Sequence, residues 1–204
     1  MTRVLAAGLL VGSLLLLVCA ALHPVLPLTG PADLALIAAM PHWRLIHLGL
    51  LYGTWLIIAG VWARWLSASG AERAGLGVGF VVLGLGQALN GVNIAYMTEA
   101  GTEFAAWFQQ GQAVALLYQA THGAAVAAGR LGGFLVAIAA AVSAATTAPT
   151  AADPRWRVGL AWLAAGAGLA GNLFAPPGHP LMLASIGVLA IWQVTVAVPL
   201  VWRR

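Results

Sequence analysis

An all-α bundle of six membrane-crossing helices is the fold class this sequence predicts, and three observations predict it. Of 204 residues, 62% are hydrophobic and 7% charged, giving a mean hydropathy of +0.94 that leaves no polar shell for a water-soluble globule. Apolar runs long enough to cross a hydrocarbon core of ~30 Å recur along the chain. The nine basic residues are all arginines, and all but Arg130 gather at the ends of those runs. An isoelectric point near 10.2 therefore reports membrane orientation rather than nucleic-acid binding, and the expected surroundings are a lipid bilayer.

The first run, 4–22, follows Arg3 and ends at His23-Pro24. A secretory signal peptide is its rival, with Arg3 as a charged leader and Val18-Cys19-Ala20 as a small-residue cleavage site; the run is longer than such a segment needs, so an uncleaved helix is expected. Further spans are expected at 45–65, 76–97, within 113–145, at 158–175 and at 181–202, all in a single membrane domain over 1–204. The stretch 113–145 is too long for one crossing and carries Arg130 followed by Gly132 and Gly133, so a hairpin of two spans competes with one helix.

Charge asymmetry decides between them. Six spans with both termini cytoplasmic put Arg3, Arg64, Arg73, Arg155, Arg157, Arg203 and Arg204 inside and only Arg44 outside, whereas seven put Arg44, Arg155, Arg157, Arg203 and Arg204 outside. Trp43, Trp62, Trp65, Trp156 and Trp202 then fall near the membrane interfaces. In the outer connection 98–112, Phe104, Trp107 and Phe108 recur at helical spacing, which predicts a short interfacial helix between spans three and four. The segment 146–153 reads as a plain linker.

With this topology all five histidines, His23, His42, His47, His122 and His179, lie toward the outer end of the bundle. Histidine ligates metals and haem and titrates near neutrality, so convergence there would make a redox, metal or proton site. One cysteine, Cys19, excludes an intramolecular disulfide and a thiolate zinc centre. His47 and His122, on antiparallel spans, are the expected ligands of haem b, with Gly123 giving room for a flat macrocycle; a transition metal held by His42, His47, His122 and His179 is the related expectation. Arg44, three residues before His47 and on the same helical face, would meet a propionate or other anion.

Gln87, Asn90 and Asn93 step outward along the third span and Asn172 ends the fifth; together they form either a polar vestibule or interhelical glue. Arg130 is the one charge deep inside a span and would seek Glu99 or Glu103 or else reach toward the inner face. Glu99 and Glu103, four residues apart, read as solvated loop charges rather than a metal-binding pair, and Asp33 and His179 as exposed residues. Gly77, Gly84 and Gly91 repeat every seven residues, and Gly75 with Gly79 is a small-xxx-small pair, which predicts close packing against neighbouring helices, other membrane subunits or a second copy.

The segments PHWRLIHLGLLYG and ALNGVNIAYM, covering roughly the first half of the chain, resemble uncharacterised bacterial integral membrane proteins. The resemblance implies a bacterial cytoplasmic-membrane location and carries no activity. Three functions remain open: a haem- or metal-binding membrane subunit, with Arg44, Asn90 and Asn93 lining its site; a small-solute carrier or sensor with an outer vestibule; and a structural subunit without a site of its own.

Overall fold

The computed structural model describes residues 2–26, 30–147, 154–176 and 179–202. Eight helices follow one another: α1 (Thr2–Leu22), α2 (Pro31–Ala39), α3 (Trp43–Ser67), α4 (Gly70–Thr98), α5 (Ala100–Gln109), α6 (Ala115–Thr146), α7 (Arg155–Leu173) and α8 (Pro180–Trp202). No strand occurs among the described residues. Five helical stretches, including α1, α3, α6, α8 and the run formed by α4 with α5, are long and apolar enough to cross a membrane, so this is a polytopic helical membrane protein. The part of the expected linker from residue 148 to 153, and Arg203 and Arg204, lie outside the described residues.

The long helices close into a ring. Each packs principally against two others, in the order α1, α3, α4, α6, α7, α8 and back to α1. Backbones meet closely where glycine removes the side chain: a Cβ at Gly12 would lie 2.6 Å from the Gly53 carbonyl oxygen, and one at Gly86 would lie 2.7 Å from that of Gly132. The stretch expected to be a possible hairpin is the single 32-residue helix α6, about 48 Å long at 1.5 Å per residue.

Of the heptad glycines of α4, Gly77 approaches a neighbouring helix as expected, an added Cβ lying 3.2 Å from Trp65 Nε1 on α3, and the other two do not. Gly84 has nothing within 4 Å of an added Cβ, and Gly91 meets only Leu51 at 3.9 Å. Close approach runs through Gly75 against Thr146, from the expected small-xxx-small pair, and through Gly86 against Gly132, because a 3.6-residue helix drifts away from a strict seven-residue stripe.

Two apolar clusters divide the interior. Leu9, Ile57, Leu83, Val136 and Ala190, from five helices, fill the ring toward the end that carries Arg64. Leu34, Ile37, Trp43, Met97, Phe104 and Tyr118 form a second cluster in which α2 and α5 pack together over the other end. The helix α2 was not anticipated from sequence, although Pro31 at its start and Asp33 in its first turn are helix-opening signals. Gly30, at φ 68°, makes the turn into it. The helix expected within 98–112 is present as α5, and its Phe104 is buried inward.

Candidate functional site

Between the two clusters lies a cavity of about 240 Å³, walled by all six ring helices and by residues 23–26. Four of the five histidines line it: His23, His47, His122 and His179. So do Gln87, Asn90, Asn93 and Asn172, the amides expected as a vestibule, together with Thr54, Arg130 and Met182. His42 precedes α3 on the exposed surface and does not reach it.

The most constrained part is the pair His23 and His47. His47 occupies the second turn of α3, 2% exposed, and its Nδ1 lies 2.9 Å from the Trp43 carbonyl oxygen one turn earlier. His23 follows the last turn of α1, and Pro24 carries the carbonyl that lies 2.6 Å from its Nδ1. Each Nδ1 therefore donates its hydrogen to a carbonyl oxygen, and the remaining nitrogens, both Nε2, face one another at 3.2 Å.

A count of hydrogens defines the chemistry. Two neutral imidazoles carry two N–H groups, but the arrangement contains three contacts that need a hydrogen or a cation. Either an extra proton or a metal ion between the Nε2 lone pairs satisfies the third. Two nitrogens bound at 2.0–2.1 Å in a tetrahedral site stand ~3.4 Å apart, close to the separation observed. Backbone carbonyls on Nδ1 are the usual outer partners that fix a ligating histidine's tautomer. Burial pushes the His23 ring below its ordinary pKa of 6.5, opposed by the bond to Pro24, which disfavours the extra proton.

Trp43 holds this pair in place rather than anchoring the helix at an interface as expected. It is 2% exposed, donates its indole N–H to the Met97 carbonyl oxygen at 2.9 Å, and lies with its ring centroid 4.2 Å from that of His47. Arg44, expected to share the face of His47, points outward and forms an exposed ion pair with Glu99 at 2.9 Å. Their three-residue spacing leaves ~60° between them on a 100°-per-residue helix, enough to separate the cavity from the surface.

His122 stands on α6, 4% exposed, between Tyr96 and Tyr118. Its Nδ1 is 3.7 Å from Asp33 Oδ2, within electrostatic reach but longer than a hydrogen bond. Asp33 is thus not the exposed residue expected: it is 1% exposed, carried inward because α2 folds onto α5. Gly123 is exposed, with nothing within 4 Å of an added Cβ, and does not line the cavity, so it does not make room there for a macrocycle beside His122. His179 is exposed as expected, at the cavity rim.

Arg130 meets neither glutamate. Its Nε and Nη2 donate to the Asn172 carbonyl oxygen at 3.0 and 2.8 Å. That carbonyl lies in the last turn of α7, where it lacks an intrahelical partner and the helix dipole is negative. Around it, α6 contributes glycines exactly where the amides approach: a Cβ at Gly129 would stand 2.7 Å from Asn93 Nδ2 and one at Gly132 2.8 Å from Asn90 Oδ1, while one at Gly133 would collide with Asn172. Asn90 donates to Gln87 Oε1 at 3.2 Å, whereas Asn93 Oδ1 is buried without a hydrogen-bond partner.

Of the residues singled out from sequence, His47, His122, Asn90 and Asn93 line the cavity; His23 lines it with them, and Asp33 and Trp43, not singled out as site residues, stand beside His122 and His47. His23-Pro24 at the end of an apolar run was the available signal for His23. Among the described residues, no three or more His, Cys, Asp or Glu side chains are close enough to hold a metal together. No family model, no curated protein and no solved structure matches this chain.

Proposed function

We propose that this chain is a metal-binding protein of a bacterial cytoplasmic membrane, in which His23 and His47 hold a transition-metal ion in a cavity opening toward the outer face. On this reading α7 is the sixth crossing and both termini are cytoplasmic, as the arginine distribution favours. The observation that carries the reading is the convergence of two Nε2 lone pairs at 3.2 Å, with both Nδ1 atoms engaged on backbone carbonyls.

Imidazole donors suit zinc, copper, iron and nickel, and the remaining coordination positions would be filled by water or an exchangeable ligand, since two histidines do not complete a closed structural site. An incompletely held ion is exchangeable, which fits metal handling better than a permanent structural role. A single ion is favoured over haem because the Nε2 of His47 is directed at His23, not at His122 across the cavity. A solute carrier is less well supported, since Val136 and Leu189 stand between the cavity and a much smaller void of about 40 Å³ that they also line.

The test is elemental analysis and an absorption spectrum of protein purified in mild detergent. About one metal ion per chain is expected, lost in His23→Ala and in His47→Ala and kept in His42→Ala. Metal-free protein after exposure to zinc and copper would overturn the reading. A Soret band that survives His23→Ala but not His122→Ala would replace it with haem ligation.

A further inference from the structure

Arg130 supplies a second site that does not depend on the metal reading. Its guanidinium lines the cavity on α6, across the ring from His23 and His47 on α1 and α3. Two of its nitrogens share one acceptor, the Asn172 carbonyl oxygen, and among the described residues no carboxylate lies within ion-pair distance of it. A guanidinium has five N–H donors, so three remain after those two bonds. The negative end of α7 offsets roughly half an elementary charge at most, and a cationic side chain within an apolar span ordinarily marks a substrate path or a ligand counter-ion.

The rest of the wall is specific in kind. Asn93 Oδ1, buried and without a hydrogen-bond partner, is an acceptor that an ionised head does not satisfy, so a protonated phosphate oxygen or a water accompanying the head would supply its donor. Leu16, Leu50, Val126, Ile94 and Ile186 supply an apolar surround. Glycines at 129, 132 and 133 keep the Arg130 region open to the amides on α4 and α7.

We infer that this cavity binds a small amphiphile whose oxyanion head, carboxylate or phosphate, pairs with Arg130 and whose apolar body fills the space between α1, α3 and α8. A lipid headgroup and a free acid share that chemistry. Charge-assisted bonding to a guanidinium in such surroundings gives a preference for the charged over the uncharged head of about tenfold or more.

The experiment uses the full chain in detergent, with octanoate and octyl phosphate as probes and octanol as the uncharged control, read by calorimetry. At least one oxyanion is expected to bind about tenfold more tightly than octanol. Arg130→Gln should remove that preference while leaving octanol binding unchanged, and Arg130→Lys should restore part of it. Equal affinity for octanol and both oxyanions in the unmodified protein overturns the inference whatever the variants do, as does an undiminished preference in Arg130→Gln. Mass spectrometry of the extracted protein distinguishes the sources: a phospholipid retained by the unmodified chain and lost from Arg130→Gln identifies a membrane lipid, and a retained free acid lost in the same way identifies a soluble one. His23→Ala should leave the oxyanion preference intact, so failure of the metal reading and failure of this one are separate results.

Discussion

Two backbone carbonyls decide what His23 and His47 can do, because each fixes a tautomer and leaves a lone pair aimed at the other ring. Burial lowers the His23 pKa from 6.5. A histidine whose pKa is depressed on folding binds fewer protons folded than unfolded just below 6.5, so the stability tied to its neutral form is present above 6.5 and lost as the pH falls through the folded value. Metal bound at the pair should accordingly be retained near neutrality and released on acidification below 6.5, as followed by equilibrium dialysis. Release that is complete well above that pH would contradict it. His47 and His122 were legible as candidates because histidine is unusual within apolar runs, and both line the cavity; the partner of His47 was not legible, because residue 23 meets residue 47 only when α1 and α3 pack side by side.

At the scale of the element, α6 explains itself once its neighbours are present. Arg130, Gly132 and Gly133 look in sequence like an interruption between two spans. In the folded ring they are a continuous helix whose missing side chains admit amides from α4 and α7 and whose arginine caps α7. The same comparison separates packing glycines from incidental ones. Gly132→Leu would drive a side chain into the Gly86 carbonyl and the Asn90 backbone nitrogen, and is expected to cost at least the ~1–3 kcal/mol typical of overpacking. Gly84→Leu enters open space and should leave the thermal midpoint in detergent nearly unchanged. Equal losses in the two variants would show that the α4 and α6 contact is not the one described. The helix α2 escaped notice for a different reason: its nine residues are too short to show convincing periodicity, and it is held by burial against α5.

For the whole molecule, the ring has two unlike ends. One is capped by α2 and α5 over the histidine cavity; at the other, Arg64 bonds Thr147 at 2.9 Å and lies 3.7 Å from Glu72, joining the ends of α3 and α6 to the start of α4. The proposed orientation places the capped end outside. In intact cells a membrane-impermeant maleimide should therefore label Glu103→Cys, an exposed position on α5, and should label Ser69→Cys only after lysis. Cys19 is buried and contributes little background. The reverse pattern would invert the orientation while leaving the fold intact.

Composition and the spacing of apolar runs were sufficient for a helical membrane protein, since burying backbone polar groups in lipid admits few architectures and the length of a span is set by the bilayer. They were sufficient, too, for histidines and amides gathered toward one end, because antiparallel helices convert position along a run into depth. Which faces meet depends on rotation about each helix axis, and in a chain apolar nearly all round, periodicity does not report that rotation. Glycine contacts as close as Gly86 with Gly132 set it, and only the assembled ring turned His47 toward His23, Asp33 toward His122 and Arg44 away from all of them.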